Sequence, residues 1–132
     1  MIDFSNEIFN AVATDLRSFY PGIKVVGENI DTPSSFPTVT IDETQNTPVH
    51  MDSAVHNKYA QVQYRVQVFT NKKSGKRAQA REIYARVDEK LQTLGFYATS
   101  YSTTPAIYNS DVYCITAIYA GVIDRNGVVY RG

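Results

Sequence analysis

Between Ala60 and Val68 every even position is apolar or aromatic: Ala60, Val62, Tyr64, Val66 and Val68. The odd positions between them are Gln61, Gln63, Arg65 and Gln67. A side-chain period of two over this length belongs to a half-buried antiparallel strand with one wet face. After a short basic turn the period changes to that of a helix. Ala80, Ile83, Tyr84, Val87, Leu91 and Leu94 then fall on one apolar stripe. Gly95 stands where a left-handed residue past the helix end is wanted, and Phe96 can fold back on Leu91 in a Schellman-type stop. This strand and helix, Tyr59 to Leu94, form the unit around which the rest of the chain must arrange itself.

The flanking segments read in order. Residues 3–20 carry a helical stripe of Phe4, Ile8, Ala11 or Val12, Leu16 and Phe19, with Asp3 or Ser5 as cap and Pro21-Gly22 as stop. Ile23 to Val26 is a short β-branched strand. Asp31 to Pro37 is turn chemistry, and Thr38 to Asp42 is a second strand. Glu43 to Lys58 has no period and holds Pro48 and both histidines, so it reads as a long flexible loop with a partner of its own. Its candidate assembly residues are Pro48, Val49, His50, Met51, Asp52 and His56. Tyr97 to Thr104 is a strand with a polar face. Val112 to Ile123 is apolar on both sides, and Asp124 to Gly127 turns the chain into a last short strand. The order α-β-β-β-α-β-β-β gives an α+β domain spanning residues 1–132. One mostly antiparallel sheet of five to six strands carries two helices on one face.

The charge balance, 13 basic against 13 acidic side chains, gives the whole chain no bias toward nucleic acid or membrane. The single Cys114 forms no disulfide within the chain and fits a reducing compartment. The first residues lack the basic region of a secretory signal, and no apolar run is long enough to span a bilayer, so the chain reads as a soluble, intracellularly made protein. Ten tyrosines and no tryptophan suit strands and half-buried interfaces alike.

Catalytic constellations are missing. His50 and His56, with Asp52 between them, lack metal-ligand spacing and a third ligand. No G-x-S-x-G elbow is present. Cys114 lies inside an apolar strand, where a thiol is inert. Asp88 and Glu89 read as solubilising charges on the polar side of the helix. Ser74-Gly75-Lys76-Arg77 lacks the leading glycine of a phosphate loop and has Arg77 where Ser or Thr should hold the metal. The basic run Lys72, Lys73, Lys76, Arg77 and Arg81 crowds positive charge at a helix N-terminus, where the macrodipole disfavours it. Glu82 and Arg86 offset part of that charge as an i, i+4 pair. Such a cluster is either a solvated turn or a docking site for acidic groups. No cofactor is implied.

Two stretches carry a family resemblance. Gln63-Tyr-Arg-Val-Gln-Val-Phe-Thr-Asn runs into Lys72-Lys-Ser-Gly-Lys-Arg-Ala-Gln-Ala-Arg-Glu-Ile and then Leu94-Gly-Phe. The ending is Tyr119-Ala-Gly-Val-Ile-Asp-Arg-Asn-Gly-Val-Val-Tyr-Arg. Together they resemble the tail terminator (tail completion, or tail-to-head joining) proteins of long-tailed bacteriophages. The resemblance is closest over residues 59–131. It implies a virion protein assembled in the host cytoplasm. Its ring of six subunits caps the head-proximal end of the tail tube, stops tube growth and offers a surface to the head connector and neck proteins. DNA passes through the channel without sequence-specific binding. The family has no catalytic residues to carry over.

On this reading the interface candidates are Gln61, Gln63, Arg65 and Gln67 on the uncovered sheet face and Lys72, Lys73, Lys76, Arg77 and Arg81 in the basic turn. A neck or head-closure adaptor is the nearest alternative. A single-stranded nucleic-acid-binding module of similar α+β build is the remoter one. It is disfavoured because the wet face of the alternating strand carries Gln and Arg where such domains stack bases on aromatic rings.

Overall fold

The computed structural model describes residues 3–28, 33–49, 59–105, 112–124 and 126–130. Its elements are α1 (Ser5–Phe19), β1 (Lys24–Val26), β2 (Thr38–Val49), β3 (Tyr59–Thr70), α2 (Lys76–Thr93), β4 (Tyr97–Pro105), β5 (Tyr113–Asp124) and β6 (Val129–Tyr130). The strands form one sheet in the order β1-β2-β3-β5-β4, and β6 pairs with β5. All pairings are antiparallel except β1 with β2. The α+β architecture read from the sequence is therefore the one observed.

β3 and β5 make the central ladder, from Tyr59 opposite Asp124 to Thr70 opposite Tyr113. The alternation sorts as its period requires. Ala60, Val62, Tyr64, Val66 and Val68 are buried, in one core with Val12 and Leu16 of α1, Ile83, Val87 and Leu91 of α2, and Ile115 and Tyr119 of β5. Removing these apolar faces from water is the main favourable term.

The stop of α2 is a full Schellman motif. Gly95 has φ 102°, its amide donates to the Gln92 carbonyl at 3.0 Å, and the Phe96 amide donates to the Leu91 carbonyl at 3.0 Å. Phe96 then packs edge-on against Tyr64, with ring centroids 5.5 Å apart. Gly121 makes the room: a Cβ there would lie 2.8 Å from a Phe96 ring carbon and 2.9 Å from Val129.

Two expectations are corrected. Residues 43–49 belong to β2 and are not loop. They run opposite β3 to the pair Val49 and Tyr59, with a bulge between Glu43 and Gln45. The polar sequence conceals a strand because β1 covers β2 only as far as Thr40, so one edge of the segment is free of the described strands. Pro48, which has no N–H to donate, is tolerated at such an edge. Second, Phe19 lies on the expected stripe of α1 but is 54% exposed, with the Arg86 guanidinium 3.5 Å from its ring centre. Of the two expected caps, Asp3 serves: it accepts the Ser5 amide at 3.0 Å and the Ser5 hydroxyl at 2.7 Å from just outside the N-cap residue Phe4, which makes no side-chain bond itself.

Candidate assembly surface

Both helices pack on one side of the sheet, and the odd residues of β3 point to the other. Gln67 stands between Thr40 and Thr116, Arg65 between Asp42 and Ile118, Gln63 between Gln45 and Ala120, and Gln61 between Thr47 and Val122. The four candidate residues of β3 thus share one face, as their spacing requires. The sequence did not reveal their neighbours. Asp42 takes Arg65 in a two-pronged ion pair, with nitrogen–oxygen distances of 2.9 and 3.3 Å. Arg65 is therefore neutralised within the chain. Ile118, Ala120 and Val122 add an apolar row beside the amides. At one end Phe36, Phe69, Val112 and Cys114 form a second small core on this same face. Burial there pushes the Cys114 thiol up.

The basic turn is elsewhere. Lys72 and Lys73 follow β3, while Lys76, Arg77 and Arg81 lie on α2, in the helical layer. Lys72, Lys73, Arg77 and Arg81 are exposed, and none of these four has an acidic partner among the described residues. The helix starts without a side-chain cap on Gly75 (φ 85°) and without an acid in its first turn. Thr70 fixes the junction by donating to the Lys76 carbonyl at 2.8 Å. The expected Glu82–Arg86 pair gives way to other partners, among them Glu89 at 3.9 Å from Arg86 within α2. Arg86 reaches Asp15 of α1 at 3.1 and 3.3 Å, and Tyr20 donates to Glu82 at 3.3 Å. The structure therefore does not gather the glutamine row and the basic turn into one patch. Of the candidate assembly loop, Pro48 and Val49 lie in β2, opposite Ala60 and Tyr59, while His50, Met51, Asp52 and His56 fall outside the described residues.

A cleft of about 460 Å³ opens where β2 runs past the end of β1, between Phe9 of α1, Glu28 and Tyr64. Within it Glu43 accepts from Tyr64 at 3.3 Å and from Asn46 at 3.4 Å. Burial and the nearby Asp3 push its carboxyl up, while burial and Glu43 hold the Tyr64 phenol far above its ordinary range. A carboxylate held by a phenol and an amide is a satisfied structural group, not an acid–base pair aimed at a substrate. Among the described residues no cluster of His, Cys, Asp or Glu is arranged to hold a metal, and no helix is long and apolar enough to cross a membrane.

Sequence reasoning also missed a polar network in the core. Asp88, read as a solubilising charge, accepts the phenol of fully buried Tyr119, whose oxygen also meets that of Tyr84 at 2.7 Å. Only a strand residue 31 positions away could have disclosed it. On the outside Tyr101 lies over Tyr84, with ring centroids 5.0 Å apart.

No family model matches the sequence, and no curated protein does. Among solved structures, a chain in the virion of a native gene transfer agent particle is similar in fold, with a TM-score of 0.64 at 13% identity. The match covers 89% of this chain and 91% of that one.

Proposed function

We propose that this chain is a non-catalytic structural protein of a phage-like virion, acting as one tail-terminator-like domain. In this reading six copies form a ring on the head-proximal end of the tail tube, end its growth and present a surface to the head connector. DNA passes through the channel without sequence-specific contacts. Assembly takes place in the host cytoplasm, and the finished protein resides in the virion.

The observation that carries the reading is the fold likeness to a virion chain over nine-tenths of both molecules. The resemblance of residues 59–131 to tail terminators gives it direction. The architecture is compatible: a sheet with helices on one side leaves a broad second face, and exposed lysines and arginines at one end suit an acidic neighbour in a head-to-tail contact. A base-stacking surface is disfavoured, because the exposed side of β3 offers Gln61, Gln63, Arg65 and Gln67 and no exposed aromatic ring.

The test is tube length. Added to polymerising tail tube protein, the chain should arrest growth and narrow the length distribution. Tubes that lengthen unaffected contradict the reading. Binding to DNA-filled heads without binding to tubes identifies the neck or head-closure adaptor instead.

A further inference from the structure

The two borders of the sheet are protected unequally: the open stretch of β2 carries Asp42, Glu43, Pro48 and a bulge between Glu43 and Gln45, whereas β4 carries no charge. β4 is the outer strand on one side, and each residue from Tyr97 to Thr103 is exposed. No charged side chain occurs between Lys90 and Asp111. Natural sheets blunt long edges with charges, because unpaired amides and carbonyls invite another chain. β4 has no charged side chain, and its one protective feature before Pro105 is a bulge between Ala98 and Ser100. It carries serine and threonine between Tyr97, 39% exposed, and Tyr101, 45% exposed. Tyrosine combines a large apolar ring with a hydrogen-bonding tip and is enriched where proteins meet. On the opposite border β1 pairs with β2 only over Thr38–Thr40, and from Ile41 to Val49 no described strand lies on its outer side. That open stretch is as long as β4.

Strand direction makes the borders complementary. β2 is antiparallel to β3, β3 to β5, and β5 to β4, so β4 runs opposite to β2. If a copy is repeated beside itself in the same sense, its β4 meets the open stretch of the next β2 antiparallel, with both helical layers on the same side. Following the register across the sheet, Tyr97 lies level with Ala120, Gln63 and Gln45. Full pairing of β4 with residues 41–49 therefore needs an offset of about four residues, ~13 Å along the strands. Closed sheets with tilted strands require such a stagger.

We infer that β4 of one copy adds to the open edge of β2 in the next, so that a single sheet runs through the subunit contact. The inference rests on the ring reading and specifies the contact. The contact is head-to-tail, the kind that closes into a ring.

The experiment compares wild type with the double variant Ser100→Lys plus Ser102→Lys and with Ser100→Thr plus Ser102→Thr. Mass is measured by light scattering, free and on tail tubes, with melting curves to establish folding. In parallel, hydrogen exchange on wild type compares β4 amides in assembled and dilute protein. The expected result is a wild type and threonine variant several times the 14.8 kDa of one chain. The lysine variant should be folded but monomeric, and β4 amides should gain at least tenfold protection on assembly. A lysine variant that assembles like wild type, or β4 amides that exchange equally in both states, overturns the edge contact and leaves the ring standing. A wild type that stays monomeric even on tubes overturns the ring and the contact together. Should the lysine variant not fold, the exchange measurement on wild type decides.

Discussion

The phenol of Tyr119 donates to Asp88 at 2.5 Å from the middle of the sheet, and so ties β5 to α2 through a bond that crosses the core. Tyr84 completes the group at 2.7 Å, and Gln92 donates to the other Asp88 oxygen at 2.8 Å. Tyr119→Phe leaves the carboxylate and the Tyr84 phenol short of a partner next to apolar surface. Losing such a bond costs about 1–3 kcal/mol. Chemical denaturation should show that loss with an unchanged slope, and an unaltered midpoint would mean the bond is not holding the layers.

Alkaline pH should unfold the protein through its buried phenols. Burial, chiefly, holds Tyr64 and Tyr119 far above the ordinary tyrosine range, helped by Glu43 for the first and Asp88 for the second. Each keeps its proton in the fold after the unfolded chain has released it. The stabilisation is therefore complete below about pH 10 and is lost above that, by up to ~1.4 kcal/mol per pH unit for each phenol. Absorbance titration should show these phenols ionising only together with the loss of far-ultraviolet circular dichroism. If all ten tyrosines titrate freely in the folded protein, the burial is wrong.

Gly95 and Gly121 should both resist alanine, for different reasons. At Gly95 the backbone is left-handed, with φ 102°, and a Cβ would lie 2.9 Å from that of Val129. At Gly121 the obstacle is the Phe96 ring alone with Val129. Overpacking of this kind costs typically ~1–3 kcal/mol. Shortening Val129 to alanine removes the Cγ1 that crowds Gly121 and should recover part of that loss in melting temperature, whereas at Gly95 the Cβ at 2.9 Å and the positive φ remain and little should return. No recovery at Gly121 would contradict the close approach.

For the basic turn, stability and assembly should move in opposite directions. Lys76→Ala plus Arg77→Ala removes two positive charges from the start of α2, each unfavourable there by about 0.3–1 kcal/mol. The monomer should hold or gain stability while assembly weakens and loses much of its salt dependence. Salt dependence equal to wild type means that the turn is only solvated.

How much of this was legible in the sequence follows from the range of each interaction. The strand from Ala60 to Val68, both helices and the Gly95-Phe96 stop were readable because period and cap are local properties. The common face of Gln61, Gln63, Arg65 and Gln67 followed from the same period. The Asp42–Arg65 pair did not, since register places those two residues opposite each other across strands 23 positions apart. Residues 43–49 escaped because a polar segment becomes a strand there only through pairing with β3. Arg86 was matched to Glu82, one helical turn before it, whereas its partner Asp15 lies on the other helix.

The central claim is tested most directly by electron cryo-microscopy of tail tubes assembled with this chain. The expected image is one closed ring at one end of each tube, its subunits sharing a continuous sheet with α1 and α2 on the same side of it. Tubes with both ends bare, beside a protein that remains a 14.8 kDa monomer, would contradict it.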